Sequence, residues 1–143
     1  MRGRPGEALL RLPVRLRGIQ LGRPYELLID LAAERAVGFE IVCGDEERRF
    51  LPLATATLRD DEIALGSALT LLEEGELAFY RDRASALSSL RGMQVERDGR
   101  PLGRLVDVLV GDGGTLAGAL VEVGGAVEEV AAAGLRPRAA SAA

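Results

Sequence analysis

The residue types that most often carry out enzyme chemistry are scarce in this chain of 143 residues. It has no His and no Lys, all 18 basic side chains are Arg, and Cys43 is the single cysteine. A Walker A phosphate loop and a Schiff base need Lys, whereas Ser-His-Asp and Cys-His constellations need His. Zinc sites need several Cys or His ligands. The composition therefore predicts no catalytic residue, no metal site and no cofactor.

Carboxylates are the groups that could still act as acids and bases. They occur in four clusters: Asp45–Glu47, Asp60–Glu62, Glu73–Glu74 and Glu128–Glu129. Catalysis would need two carboxylates in one cleft with pKa values pushed apart, whereas acids between apolar runs are typical of solvated turns. A small carboxylate-dependent enzyme is the least favoured function. Cys43 ends an apolar run, which predicts an inert, buried thiol.

The charge pattern also restricts the partners. The net charge is −4 and only 3% of the residues are aromatic, which argues against direct contact with nucleic acid. Charged residues interrupt every apolar run well before the length of a membrane span, and arginines break any signal-peptide core near the start. We therefore expect a cytoplasmic protein with no membrane span.

Most of the chain carries strand signals. Residues 37–41 alternate in the manner of a half-buried strand, and Gly111–Gly114 has the residue types of a hairpin turn. Phe50–Leu53 predicts a short strand whose Pro marks an edge or a strand end. Residues 57–65 predict a further hairpin. A short helix is predicted near 74–83, with a linker over 84–89.

Two stretches of the chain can be aligned with each other. Residues 16–21 match 90–95, and residues 22–30 match 99–107, with nine identities over the 14 gapless positions 16–20 and 22–30. Such a match predicts two supersecondary units of one kind. The alignment makes Asp30 equivalent to Asp107, and we expect both to bond to backbone. It also pairs glycines that we expect in strands, where they permit bends: Gly18 with Gly92 and Gly38 with Gly118.

The second copy carries a family pattern. Leu90–Val95 and Gly99–Val110 resemble the motifs of the PRC-barrel domain, and Arg49–Leu53 resembles that family's later Leu-Pro strand. The likeness spans roughly residues 12–135, although Glu26 stands where the first copy should have Gly. It implies a small, bent antiparallel β-barrel per copy. The family includes the cytoplasmic domain of the photosynthetic reaction centre H subunit, the C-terminal domain of a ribosome-maturation factor, and stand-alone bacterial members.

We therefore expect an all-β, mainly antiparallel fold with two small PRC-type β-barrels in tandem and one short helical linker segment. The expected division is an N-terminal lead (1–11), copy 1 (12–73), the linker (74–89), a shortened copy 2 (90–135) and a disordered tail (136–143). Copy 2 has no counterpart of the 57–65 hairpin. Its open edge is expected to be completed by residues 67–80 or by a second chain.

The resemblance implies a non-enzymatic protein-interaction or assembly module. Arg and Tyr carry much of the binding energy at protein interfaces, so a protein partner is expected, and a homodimer is a further option. The runner-up is a ribosome- or RNA-linked maturation factor, which the negative charge disfavours. The candidate partner-binding residues are Arg48, Arg49, Phe79, Tyr80, Arg81 and Arg83.

Overall fold

The computed structural model describes residues 3–72, 82 and 84–138, which form two mainly antiparallel sheets. The first sheet contains β2 (Val14–Leu16), β3 (Ile19–Asp30), β4 (Arg35–Cys43), β5 (Arg48–Pro52), β6 (Ala56–Leu58), β7 (Ile63–Leu65) and β8 (Ser85–Ala86). The second contains β1 (Arg4–Pro5), β9 (Gln94–Arg97), β10 (Arg100–Val110), β11 (Leu116–Val123), β12 (Ala126–Val130) and β13 (Arg136–Pro137). Two helical turns accompany them in the described part, α1 (Gly6–Leu9) and α2 (Leu87–Leu90). The predicted all-β fold with tandem barrel-like units is confirmed.

Local signals placed several of these elements well. The strand ending at Pro52, the hairpin of β6 and β7, and the turn between β10 and β11 all lie where they were predicted. The remaining short helices are 3-10 turns at Leu53–Thr55, Ala68–Thr70 and Asp112–Gly114. Of the predicted helix at 74–83, only residue 82 lies within the described residues, in a turn.

Each sheet is organised around one long strand with bulges. The first sheet has the order β5-β4-β3-β2-β7-β6, and the second has the order β12-β11-β10-β9-β13. β3 and β10 extend well beyond their short partners β2 and β9. The C-terminal ends of β3 and β10 therefore each pair with a further short strand, on the same side as β2 and β9. β8 pairs with β3 at Leu28 and Ile29, and β1 pairs with β10 at Leu109 and Val110.

We call each sheet with its helical turn a unit, and the short strand that precedes it in the chain its N-terminal arm. Each arm thus pairs with the sheet of the other unit. β1 precedes the first sheet but joins the second, while β8 precedes the second sheet but joins the first. Residues 84–89 were predicted to be a linker. The structure instead makes them β8 and the beginning of α2. This exchange depends on contacts between distant parts of the chain, which local sequence patterns do not report.

One carboxylate from a long strand fixes each arm. Glu26 on β3 accepts the Ser88 backbone N–H through Oε1 (3.3 Å) and the Ser88 hydroxyl through Oε2 (2.5 Å). Asp107 on β10 accepts the Glu7 N–H through Oδ2 (3.1 Å) and the Val108 N–H through Oδ1 (2.7 Å). Each acid therefore satisfies N–H groups at the start of a helical turn, which have no partner within the turn itself.

Strand pairing gives a different register from the sequence alignment. Arg17–Gly18 and Asp98–Gly99 both form two-residue hairpin turns with positive φ, so Gly18 corresponds to Gly99 and not to Gly92. Gly92 follows α2 in another turn, so neither Gly18 nor Gly92 lies in a strand as predicted. Glycine is favoured in any turn of positive φ. The Arg-Gly pairs shared by the two copies therefore indicated turns of a similar kind, but they did not establish which turn of one copy corresponds to which turn of the other.

The two aligned aspartates are also not equivalent. Asp30 is the last residue of β3, and its Oδ1 accepts the Ala33 N–H of the following turn at 3.0 Å. Asp107 lies within β10 and is only 4% exposed. The corresponding place on β3, next to a bulge, belongs to Glu26. The expectation that both aspartates bond to backbone groups is nevertheless confirmed, and Gly38 and Gly118 do occupy matching positions opposite Leu28 and Leu109.

The open edge of the second unit is completed by a segment that was not foreseen. β7 pairs with β2 in the first sheet, whereas β13 takes the edge of β9 in the second. Arg136 and Pro137 had been assigned to a disordered tail, and residues 139–143 lie outside the described part. Residues 67–72 do not reach the second sheet through any strand pairing. Instead, Leu72 bridges to Phe50 at the edge of β5.

The two sheets share one hydrophobic core. Phe39 and Leu51 from the first sheet belong to the same buried cluster as Leu105 and Val121 from the second. The hairpin tips also touch, because the Leu116 N–H donates to the Glu34 carbonyl at 2.9 Å. Within the described ranges, no helix has the length and apolar character needed to cross a membrane.

Candidate functional site

A groove of about 510 Å³ opens at one end of the first sheet. We call it the Arg49 groove. The start of β3, the turn between β4 and β5, and the 3-10 turn at Ala68–Thr70 form its walls. Its lining residues are Gln20, Leu21, Cys43, Gly44, Asp45, Arg49, Ala68 and Leu71. Apolar side chains and a thiol therefore face a single ion pair, a composition typical of sites that receive a side chain.

The turn between β4 and β5 brings an acid and a guanidinium to this groove. The Cys43 carbonyl accepts the Glu46 N–H at 2.9 Å, and Glu46 has a positive φ of 66°. Asp45 Oδ1 accepts the Glu47 N–H at 3.0 Å, which holds the carboxylate over the turn. Asp45 thereby faces back toward the first residues of β5, where Arg49 lies.

Arg49 and Asp45 form a two-pronged ion pair. Arg49 Nη1 donates to Asp45 Oδ1 at 3.1 Å, and Nη2 donates to Oδ2 at 3.0 Å. The Arg49 guanidinium is the main reason that the pKa of Asp45 lies below its ordinary value, and the Glu47 N–H lowers it further. In turn, bonding to Asp45 and then to Cys43 raises the pKa of Arg49. Both groups therefore stay charged together over a wide pH range.

The rim of the groove carries an unusually exposed apolar side chain. Leu69 is 92% exposed. Its turn is fixed locally, because Ser67 Oγ accepts the Leu69 N–H at 3.1 Å and the Thr70 hydroxyl donates to the Ser67 carbonyl at 2.8 Å. Single exposed leucines are common on protein surfaces. Here the leucine is held by a structured turn between two residues that line the groove, Ala68 and Leu71.

Arg48 belongs to a separate arrangement on the opposite face of β5. Its guanidinium lies 5.4 Å from the centroid of the Tyr25 ring, a cation–π distance. The Tyr25 hydroxyl donates to Glu40 Oε1 at 3.3 Å, and Glu40 is buried. Neighbouring residues of a strand point to opposite faces. Arg48 and Arg49, which are both candidate partner-binding residues, therefore lie on two different surfaces.

The structure does not test the other four candidate residues. Phe79, Tyr80, Arg81 and Arg83 lie outside the described residues. Sequence reasoning missed Leu69, Gln20 and the role of Asp45, which had been assigned to a solvated turn. A usable signal was present for one of them, because Asp45 and Arg49 flank a short turn between strands at a separation that allows an ion pair.

The chemistry available in the groove is limited by this ion pair. Asp45 is the one carboxylate among the lining residues that the structure describes, and Arg49 already engages both of its oxygens. Within the described part of the chain, no three His, Cys, Asp or Glu side chains are grouped so that they could hold a metal ion. No protein-family model matches the sequence, and no curated protein is significantly similar to it.

Proposed function

We propose that this chain is a tandem PRC-barrel protein with a non-enzymatic role, which docks a cytoplasmic partner protein at the Arg49 groove. The family assignment rests on the motifs of Leu90–Val95 and Gly99–Val110. It gains support from the three central strands of each sheet, because β2-β3-β4 and β9-β10-β11 have hairpins and bulges at corresponding places. Such matching is what a duplicated unit would produce.

One observation carries the docking proposal, namely the exposed Leu69 beside a groove with apolar walls. A partner segment that places an apolar side chain against Leu21 and Leu71 would cover Leu69 at the same time. Burying one leucine side chain contributes about 1.5 to 3 kcal/mol. The paired Arg49 and Asp45 at the wall would give orientation, because the remaining guanidinium N–H groups can bond to partner carbonyls.

The test is a capture experiment followed by a binding measurement. The wild-type chain is immobilised, and the proteins from the source cells that it retains are purified and titrated against the wild type and Leu69→Ser. The matched control is Met93→Ser, which replaces an exposed apolar residue of the second unit outside both surfaces. For a partner docked at the groove, Leu69→Ser weakens the affinity about tenfold, whereas Met93→Ser leaves it unchanged.

Two results would count against the proposal. A partner that binds both variants as well as it binds the wild type does not use the Arg49 groove. Concentration-dependent self-association that disappears in Leu69→Ser would show that the groove is covered by a second copy instead of a different protein. Light scattering on the purified wild-type chain and on Leu69→Ser distinguishes these cases.

A further inference from the structure

The outer edge of the first sheet is already extended by another part of the chain. The Phe50 N–H on β5 donates to the Leu72 carbonyl at 2.9 Å, and the Leu72 N–H donates to the Phe50 carbonyl at 2.8 Å. Leu72 thus pairs with the edge of β5 as an isolated antiparallel bridge. Both outward backbone groups of Phe50 are satisfied in this way by another part of the chain, as they would be by an added strand.

The corresponding edge of the second sheet is β12, and no strand of the described residues pairs with its outer side. Leu120 lies opposite Glu129 there, as Glu40 lies opposite Phe50 in the first sheet. Along the β11–β12 hairpin, residue pairs that are hydrogen-bonded to each other alternate with pairs that are not, starting from the Gly124–Gly125 turn. The backbone N–H and C=O groups of Val127 and Glu129 therefore point away from β11. Nothing in the described ranges pairs with them.

The side chains of β12 indicate what would bind to this edge. Val127 is 56% exposed, and Glu128 and Glu129 are exposed as well. Neither glutamate takes part in an ion pair of the described residues. Opposite charges on neighbouring strands are stabilising and like charges are destabilising. An added strand would thus be favoured by basic side chains beside the glutamates and an apolar side chain beside Val127.

We propose that the edge of β12 binds a basic, extended segment of a partner protein by strand addition. The same charges disfavour one way of pairing with a second copy of this chain, because two-fold pairing centred on Glu128 would set the two Glu128 side chains opposite each other. Charged residues on an edge strand also protect against indiscriminate pairing. Here they would select a basic partner and reject acidic ones. This site lies on the other sheet from the Arg49 groove and acts independently of it.

The probe is a short peptide that repeats Val-Arg-Arg, acetylated and amidated at its ends, titrated into the ¹⁵N-labelled full chain. The expected result is a saturable shift of the backbone amide signals over residues 126–130, with an affinity that falls as salt screens the charges. A peptide that repeats Val-Glu-Glu is expected to bind at least tenfold more weakly. Equal binding of the two peptides would overturn the proposal.

Variants test the backbone and charge contributions separately. Glu129→Pro removes an outward N–H while leaving the ladder to β11 intact, and is expected to weaken peptide binding about tenfold. Should that variant be misfolded, Glu128→Gln/Glu129→Gln is the second test, with an expected loss of about threefold at low salt. The matched control is Asp60→Asn/Asp61→Asn, which removes two exposed neighbouring acids from the first unit and should have no effect.

Three outcomes would contradict the proposal. Binding that is unchanged in Glu129→Pro and in the double Gln variant would show that the peptide does not use this edge. Shifts confined to residues outside 126–130 would place it elsewhere. Self-association of the free chain that Glu129→Pro abolishes would make a second copy the occupant. Leu69→Ser should leave peptide binding unchanged, so failure here and failure of the groove proposal can be told apart.

Discussion

The exchange of arms between the two units makes Asp107 a sensitive position for stability. The substitution Asp107→Asn keeps the shape of the side chain but replaces one acceptor oxygen with an amide that donates. Asp107 holds the Glu7 N–H at 3.1 Å and the Val108 N–H at 2.7 Å, and the side chain is buried. Asn can accept only one of these bonds, and its NH₂ group then faces the other N–H.

The expected cost follows from these two bonds. A hydrogen bond to a charged group contributes about 1.5 to 3 kcal/mol, and a buried N–H left without an acceptor costs about 1 to 3 kcal/mol. We expect Asp107→Asn to lower the free energy of unfolding by about 2 to 4 kcal/mol. The measurement is urea denaturation at pH 7, followed by circular dichroism. Hydrogen exchange should also become faster at the Glu7 amide.

Asp30→Asn is the matched control. Its carboxylate only caps a turn at Ala33, in a role that Asn fills equally well, so the expected change is below about 0.5 kcal/mol. A cost for Asp30→Asn equal to that for Asp107→Asn would refute the reasoning, as would an Asp107→Asn variant as stable as the wild type. The first result would also favour the equivalence that the sequence alignment proposed.

Three further outcomes are expected in the first unit. Gly38→Ala should destabilise the fold by about 1 to 3 kcal/mol in urea denaturation, because a Cβ would collide with the Leu51 carbonyl oxygen; a neutral effect would contradict the close approach. The Asp45 carboxyl should titrate below pH 3.8 by NMR, so its contribution to stability is present above pH 3.8 and is lost as the pH falls through its lowered pKa. Arg49→Gln should move that titration upward, and an unmoved midpoint would exclude the ion pair in solution. Because Cys43 is buried, a thiol reagent should modify it slowly in the native chain and rapidly in urea, and equal rates would show that it is accessible.

Local chemistry explains which parts of the fold could be predicted. Pro52 ends a strand because proline has no N–H to donate, and Gly111–Gly114 turns because glycine adopts positive φ without strain. These signals depend on single residues and their neighbours. The exchange of β1 and β8 depends instead on two-residue strands that pair with strands far away in the sequence. Two residues are too few to show a periodic pattern that would predict a strand.

The candidate site shows the same division. Arg48 and Arg49 were correctly placed at the start of a strand, yet the alternation of side chains along that strand already implied that they face opposite surfaces. The Arg49 groove could not be predicted, because its walls come from three separate segments. Leu69 gave no signal in the sequence, since its importance lies in being exposed and held by the Ser67 turn.

Hydrogen exchange on the chain with and without its purified partner tests the docking proposal most directly. If the partner binds at the Arg49 groove, its addition slows exchange at the amides of residues 43–47 and 67–71, while residues 126–130 exchange as before. If the partner slows exchange elsewhere but leaves the exchange rates of residues 43–47 and 67–71 unchanged, the proposal is contradicted, whatever the affinity of the complex.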